Sequence, residues 1–196
     1  AARYGLEDIN GTSHALLLAA YETYLGAVGA RGSPQYNFLN VQFVVADKNQ
    51  PPAGDPAIVP VFDEDPALDI YLNTNALPRV SLVYSATVVP DGEAAFGATH
   101  APGFDPASQV VVEDGPPLSG GRPQAESNLY YLDYKAESFS VVALTPAPAY
   151  VVFSEVWYPG WTAWVDGEPT AVERSGLFQA VTVSAGAHTI VFEFRP

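Results

Sequence analysis

The segment LFQAVTVSAGAHTIVFEFR, residues 177–195, decides the fold class. Its second half places Ile190, Phe192 and Phe194 at every second position, so these side chains project from one face of an extended strand. Ser184-Ala185-Gly186 separates this strand from an apolar stretch before it, as expected for a turn between antiparallel strands. The segment therefore predicts two strands joined by a turn, with one face of the second strand apolar.

The same pattern extends upstream of this segment. Apolar and polar side chains alternate from Tyr130 to Lys135, and Asp166-Gly167 is the strongest two-residue hairpin signal in the chain. The further predicted strands are 139–144, 150–155, 162–165 and 169–172. Six or seven antiparallel strands within about 70 residues are typical of a compact β-sandwich.

The first part of the chain predicts mixed secondary structure. Apolar residues at helical spacing predict a helix over about 13–28, capped by Thr12 or Ser13, and a shorter helix is predicted at 92–98. The predicted strands are 40–46, 58–62, 68–72, 79–89 and 109–113. We expect the strand 40–46 to be buried through Val41, Phe43, Val44 and Val45.

Residues 114–124 hold three prolines and three glycines without apolar periodicity, which indicates a boundary. We expect an α+β N-terminal lobe over 1–118 and an antiparallel, jelly-roll-like β-sandwich over 125–196, or one compact domain containing both. The predicted fold class is mainly β with one or two short helices.

The chain has 196 residues, with 8 Lys and Arg against 22 Asp and Glu, and a formal net charge of −14. Binding to phosphates requires a basic patch, so this balance argues against a nucleic-acid partner and against direct binding to anionic lipids. No apolar run approaches the ~20 residues needed to span a bilayer. The chain contains neither Cys nor Met. The start Ala1-Ala2-Arg3 and the stop at Pro196, directly after an apolar strand, favour a fragment of a longer protein.

The residues that could carry out catalysis form no recognisable motif. His14, His100 and His188 are far apart, and His188 begins an apolar strand, which favours a structural imidazole. The serines lack the glycine pattern of a nucleophile elbow, and no phosphate-binding loop or dinucleotide fingerprint is present. We therefore expect no catalytic residue, metal site or cofactor. A self-contained hydrolase or metal enzyme is the least favoured interpretation.

Asp63-Glu64-Asp65 is the densest acidic cluster. Its carboxylates could bind a divalent cation, or act as the DxD-like element of an enzyme that uses a sugar nucleotide. A solvated turn that ends at Pro66 is favoured over both. A calcium ion bound elsewhere by the loop carboxylates stays open.

Trp157, Tyr158, Trp161 and Trp164, with Asp166 nearby, form the most distinctive group of side chains. Aromatic faces stack on sugar rings, so exposed members would form a carbohydrate-binding surface, with Asp166, Glu168 and Arg174 as hydrogen-bonding candidates. The alternative is that the indoles seal the sandwich core. Trp161 and Trp164 are three residues apart, so on a strand they point to opposite faces and at least one belongs to the core. Arg79 is expected to pair with a carboxylate.

The run YPGWTAWVDG (158–167), followed by SAGAHTIVFEF (184–194), resembles the end of the extracytoplasmic domain of YfhO-like bacterial membrane proteins. In that family a YPGW-x-A-x-VDG hairpin precedes a PAG-x-H-x-V-x-F strand. LNVQFVVA (39–46) is similar to the family's LLNVKYVL strand, and NTNALPRVSLVYSATVV (73–89) is similar to its N-x-x-ALPRA-x-x-V segment. The predicted helix corresponds to the family's opening, although the usual Tyr-Asp-Pro is missing here. The region around Arg122 is longer and richer in Pro and Gly than in the family.

YfhO-like proteins look like polytopic glycosyltransferases that use lipid-linked sugar donors, with the acidic catalytic residue in the membrane part. The resemblance therefore implies that this chain is a non-catalytic extracytoplasmic domain, and no catalytic residue is carried onto it. Its partners would be a cell-envelope polysaccharide or its own transmembrane domain. The alternative is a stand-alone carbohydrate-binding β-sandwich.

Overall fold

A computed structural model describes residues 7–9, 19–52, 54–135 and 137–196 of the chain. The chain divides into two compact units, Ala1–Leu77 and Pro78–Pro196. The predicted fold class is confirmed, because the described residues form several antiparallel sheets with three short helices. The segment 114–124, where the sequence indicates a boundary, lies within the second unit.

The first unit contains two helices and a three-stranded sheet among its described residues. The elements are α1 (Ala19–Ala27), α2 (Pro34–Phe38), β1 (Phe43–Asp47), β2 (Ile58–Phe62) and β3 (Leu68–Asn73). Helix α1 lies within the predicted helix, whereas residues 13–18 and the caps Thr12 and Ser13 fall outside the described residues. Helix α2 was not predicted. Pro34 opens it, and the Ser33 hydroxyl accepts a hydrogen bond from the Tyr36 N–H at 3.1 Å, which is N-terminal capping.

The sheet has the order β1-β3-β2 and is antiparallel. The prediction of a fully buried first strand is wrong, because only alternate residues of β1 are buried. Val44 is 6% exposed, whereas Phe43 is 57% and Val45 is 60% exposed. The physical reason is the two-residue period of a strand, since the described part of the chain covers only one face of this sheet.

A buried amide pair ties this sheet to helix α2. The Asn73 side-chain amide donates to Asn37 Oδ1 at 2.9 Å and to the Val41 carbonyl at 3.1 Å. Both asparagines are almost fully buried, so these hydrogen bonds offset the cost of removing their polar groups from water. The sequence motif NTNALPR therefore begins with a structural asparagine.

The second unit holds the other described elements. They are β4 (Val80–Val83), β5 (Ser85–Val88), α3 (Gly92–Thr99), β6 (Val110–Val112), β7 (Leu118–Ser119), β8 (Asn128–Lys135), β9 (Ser138–Thr145), β10 (Ala149–Phe153), β11 (Trp161–Val165), β12 (Glu168–Thr170), β13 (Glu173–Ser175), β14 (Phe178–Val183) and β15 (Gly186–Phe194). The predicted short helix is confirmed as α3. The Asp91 side chain caps α3 by accepting from the Ala94 N–H at 2.9 Å.

Two antiparallel sheets contribute to one apolar core in this unit. Their strand orders are β13-β14-β10-β4 and β12-β11-β15-β9-β8. Phe153 from the first sheet stacks on Phe139 from the second, with 4.5 Å between ring centroids, and both are at most 1% exposed. Strand β4 belongs to this sandwich although it lies far upstream in sequence, because it pairs with β10.

The predicted strand 79–89 is divided into β4 and β5 at Tyr84. The buried Tyr84 hydroxyl hydrogen-bonds to Thr145 Oγ1 at 3.0 Å. Beyond this point β5 leaves the sandwich and forms a separate sheet, parallel to β6 and antiparallel to β7. The chain therefore changes direction at Tyr84, where it passes from the sandwich to the β6-β5-β7 sheet.

Arg79 pairs with a carboxylate, as predicted. Its guanidinium contacts Glu155 at 2.6 Å and donates to the Tyr134 hydroxyl at 3.0 Å. Because Tyr134 lies in the edge strand β8 and Arg79 directly precedes the edge strand β4, this cation links the edges of the two sandwich sheets.

Adjacent valines of β9 test the assignment of its two faces. Val141 is 0% exposed and faces the core, whereas Val142 is half-buried on the opposite face. We expect Val141→Ala to lower the free energy of unfolding by about 2 kcal/mol, because two buried methyl groups are replaced by a cavity. Val142→Ala should cost about 1 kcal/mol or less. Urea denaturation measures both, and equal losses would contradict the assignment.

Candidate functional site

Strand β11 presents the two tryptophans of its sequence on opposite faces. Trp161 lies opposite Phe194 of β15, and Trp164 lies opposite Val191. Trp161 packs against the core, with ring centroids 6.2 Å from Phe153 and 5.4 Å from Phe194. Because Trp161 and Trp164 are three positions apart on a strand, their side chains point to opposite faces, as predicted.

Arginines lie over the two other indoles. The Arg195 guanidinium carbon is 5.0 Å from the centroid of the Trp164 ring, and that of Arg174 is 5.4 Å from the Trp157 ring. Arg174 also forms an ion pair with Glu113 at 3.2 Å. All three tryptophans are half-buried. A guanidinium over an indole holds one ring face by a cation–π interaction, so that face is occupied in both cases.

Tyr158 is the most exposed of the predicted aromatic residues, at 46%. Its ring centroid lies 6.2 Å from that of Phe194. The turn between Tyr158 and Trp161 requires a glycine, since Gly160 has a φ of +112° and a Cβ there would lie 3.0 Å from the Phe194 ring. The motif Tyr-Pro-Gly-Trp thus places Tyr158 and Trp161 around Phe194.

Phe194 also lines a depression of about 340 Å³, which we call the Phe194 depression. Its lining residues are Lys135, Glu137, Ser138, Glu193 and Phe194. The Phe194 N–H donates to the Glu137 carbonyl at 2.8 Å, which holds β15 against the turn between β8 and β9. The site therefore combines an aromatic ring with two carboxylates, one ammonium and one hydroxyl.

The depression is bordered by short ion pairs. Glu193 pairs with Arg195 at 2.7 Å, and Lys135 pairs with Asp133 at 2.5 Å. Hydrogen bonding by the Lys135 ammonium is the main reason why the pKa of Asp133 lies below its usual value. The charged groups beside the depression are therefore mostly neutralised in pairs.

Asp166 lies at the other end of β11, about 17 Å along the strand from Trp161. One of its carboxylate oxygens contacts His188 Nδ1 at 2.7 Å, and the other accepts from the Thr189 N–H at 2.8 Å. His188 Nε2 lies 3.1 Å from the Ser184 hydroxyl. The hydrogen bond from His188, followed by that from Thr189, lowers the pKa of Asp166 below its usual value.

The structure thus divides the predicted carbohydrate-binding residues. It brings Tyr158 and Trp161 together around Phe194, and Trp164 lies beneath Arg195, the partner of Glu193 at the border of the depression. Trp157 and Asp166 lie elsewhere. The polar residues of the depression were missed because β8, β9 and β15 bring them together only on pairing. The Ser184–His188–Asp166 cluster was also missed. Its available signal was that the two predicted turns, Asp166-Gly167 and Ser184-Ala185-Gly186, hold an aspartate and a serine, and that His188 follows the serine by four residues.

The acidic cluster at 63–65 forms a turn ordered by its own backbone. Asp65 Oδ1 accepts from the N–H groups of Ala67 and Leu68 at 2.8 and 3.0 Å, and these bonds lower the pKa of Asp65. The Lys48 ammonium donates to the Asp65 carbonyl at 2.9 Å. A lysine therefore already occupies the side of the turn from which a cation would approach.

Of the other histidines, His100 lies outside the two sites. His100 stacks on Phe96 with 4.1 Å between ring centroids, and its Nδ1 lies 2.9 Å from the Phe96 carbonyl. His14 falls outside the described residues. Within the described part of the chain, no group of three or more His, Asp or Glu side chains could hold a metal ion.

No protein-family model, curated protein or solved structure matches this chain. Among the residues that the structure describes, no helix is both long and apolar enough to cross a membrane.

The lowered pKa of Asp166 predicts how the free energy of unfolding depends on pH. At pH values between the lowered pKa of Asp166 in the folded chain and its ordinary value in the unfolded chain, the unfolded chain binds more protons. The free energy of unfolding therefore rises with pH across this range, and the stabilisation by this carboxylate is fully present above it. We expect Asp166→Asn to reduce the free energy of unfolding at pH 7. The deficit should shrink as the pH falls through the lowered pKa of Asp166. Urea denaturation across this range measures it.

Glu168, exposed in the same hairpin, provides the matched control. Glu168→Gln should leave stability nearly unchanged at all these pH values. A deficit of Asp166→Asn that is equally large in acid would show that the charge of Asp166 is not responsible.

Proposed function

We propose that the chain is an extracytoplasmic module that positions a glycan, within a polytopic membrane protein resembling the YfhO-like glycosyltransferases. Glycosyl transfer itself would be carried out by the membrane part of that protein. The observation that carries the glycan assignment is the Phe194 depression, where one aromatic ring lies beside carboxylate, ammonium and hydroxyl groups. A stand-alone carbohydrate-binding module is the second candidate, and the same depression favours it.

The chemistry of the depression suits a sugar. A pyranose ring presents C–H groups on one face and hydroxyls around its rim. Phe194 offers apolar surface to the former, and the ring centroid of the exposed Tyr158 lies 6.2 Å from that of Phe194. Glu137, Ser138 and Glu193 offer hydrogen-bonding groups to the latter. Such a combination of an aromatic surface with a few polar groups fixes both affinity and orientation.

The charges of the depression favour an uncharged glycan over a phosphodiester polymer. Two carboxylates and one ammonium line it, and the whole chain carries a net charge of −14. Although the charges beside the depression are mostly paired, the net charge of the chain would repel a polymer with one phosphate per repeat, and salt screens this repulsion only in part. We therefore expect neutral polysaccharide fragments to bind better than teichoic-acid fragments.

Exposed apolar side chains of the first unit support docking against another part of the protein. Phe43 and Val45 of β1 and Leu68 of β3 are between 43% and 60% exposed. Antiparallel register places them on one face of the β1-β3-β2 sheet, since Val45 lies opposite Ile70 and Asp47 lies opposite Leu68. Apolar surface of this kind commonly marks an interface, and the transmembrane domain implied by the resemblance is the proposed partner.

Glycan binding is tested by titrating the intrinsic fluorescence of the tryptophans with neutral polysaccharide fragments. Trp161 should respond because it packs against Phe194, the aromatic lining residue of the depression. We expect Tyr158→Ala to weaken binding about two- to tenfold, the effect of losing one aromatic contact. Tyr130→Ala is the control, since Tyr130 is equally exposed, at 55%, but lies on β8 away from Phe194. Equal affinities of the two variants, or no response from wild type, would refute the assignment.

Topology is tested separately, and it distinguishes the two candidates. The chain has no cysteine, so Ser108→Cys introduces a single exposed thiol into it. In intact cells that produce the complete protein, a membrane-impermeant maleimide should label this thiol, and the product should remain in the membrane fraction. Labelling only after lysis would rule out the extracytoplasmic location. A labelled but freely released product would favour the stand-alone module.

A further inference from the structure

The strongest unassigned feature is the hydrogen-bonded series Ser184–His188–Asp166. Asp166 accepts from His188 Nδ1 at 2.7 Å, and His188 Nε2 lies 3.1 Å from Ser184 Oγ. Since the aspartate engages Nδ1, the proton of the neutral imidazole resides there, which leaves Nε2 as an acceptor for the serine hydroxyl. Each ring nitrogen therefore faces the partner that it faces in a Ser-His-Asp catalytic triad.

Two turns position these side chains. Asp166 lies in the turn between β11 and β12 with a φ of 55°, and Gly167 follows it with a φ of 84°, the paired left-handed geometry of a tight hairpin. Its backbone N–H donates to the Thr189 carbonyl at 2.8 Å, and Thr189 returns a hydrogen bond of 2.8 Å to the Asp166 carboxylate. Asp166 is thus held in place by β15 itself, on which His188 lies.

Exposure differs along the series, and the Asp166 side chain is 50% exposed. The His188 side chain is only 14% exposed, so its orientation is fixed by packing. Ser184 is exposed at the start of the turn that leads into β15. A base that is held in place and a nucleophile open to solvent allow a substrate to reach the hydroxyl without a rearrangement of the histidine.

We propose that Ser184 is a nucleophile that cleaves carboxylic esters, with His188 as general base and Asp166 as the residue that orients the imidazole. This activity goes beyond the proposed glycan binding and does not depend on it, because the cluster and the Phe194 depression lie at different ends of β15.

The reaction balances with water as the second substrate. Ser184 Oγ attacks the ester carbonyl while its proton passes to His188 Nε2. The ester C–O bond then breaks, and the alcohol leaves with that proton, so an acyl-serine remains. Water attacks the acyl carbon and gives a proton to Nε2, the bond from Oγ to the acyl carbon breaks, and Oγ takes the proton back. One ester and one water yield one acid and one alcohol.

The lowered pKa of Asp166 supports this mechanism, because an ionised carboxylate beside Nδ1 stabilises the imidazolium formed in each attack.

The substrate class follows from the openness of the turn. Because Ser184 is exposed, an ester presented on a chain or on a small molecule can approach from solvent. A short acyl group, such as acetyl, does not require a deep pocket to bind it. We therefore expect acetyl esters of sugar or aryl alcohols to react.

The test uses the purified 196-residue chain and a fluorophosphonate probe, which phosphonylates activated serines. Mass spectrometry of the digested chain should find the label on Ser184. The labelling rate should fall at least about 100-fold in His188→Gln, which removes the general base. Ser184→Ala should abolish both this label and the hydrolysis of 4-nitrophenyl acetate.

Ser108 is the matched control, since it is also exposed but its hydroxyl donates to the Asp105 carbonyl at 3.2 Å. Ser108→Ala should leave labelling and hydrolysis unchanged. The proposal is overturned if wild type labels Ser184 no faster than Ser108, or if Ser184→Ala retains the esterase rate. Either result would mean that the series only ties two turns together. Because the first comparison is made on wild type, it does not depend on the stability of the His188→Gln variant.

Discussion

The burial of one apolar layer between two antiparallel sheets is the constraint on which the second unit depends. Phe139 and Phe153 meet across this layer as stacked rings, and Phe192 packs against both. Each sheet alone would leave its apolar face in water, so neither is stable without the other. This requirement brings β4 into the sandwich from a distant part of the chain and sets which face every strand turns inward.

Both candidate sites follow from the strands that this core holds in register. Strands β11 and β15 run antiparallel, so Trp161 meets Phe194 at one end while Asp166 meets Thr189 at the other. The first end gathers aromatic rings beside Lys135 and Glu193, and the second gathers Ser184, His188 and Asp166. A single strand pair therefore positions an aromatic surface and a serine–histidine series about 20 Å apart.

The local sequence pattern predicted well where the strands lie, but it predicted less well which of their side chains are buried. Alternation in 188–195 and the Asp166-Gly167 turn have the predicted structures, and helix α3 begins within the predicted segment. The interior placement of β1 was wrong, because four successive apolar residues are compatible with a buried strand and with a half-exposed one. Helix α2 escaped detection since it contains only one turn, too short to show a periodicity. The acidic turn at 63–65 contacts Lys48, a partner distant in sequence.

The sequence alone determined the mainly β character, the tight turns, and the opposite orientation of Trp161 and Trp164, because these depend on periods of a few residues. The tertiary structure decided which residues meet. Ser184 and His188 are close in sequence, but Asp166 joins them only because β11 pairs with β15. Likewise Lys135, Glu137 and Phe194 form one depression only after β8, β9 and β15 align. Register between distant strands is set by the shared core, and no local pattern encodes it.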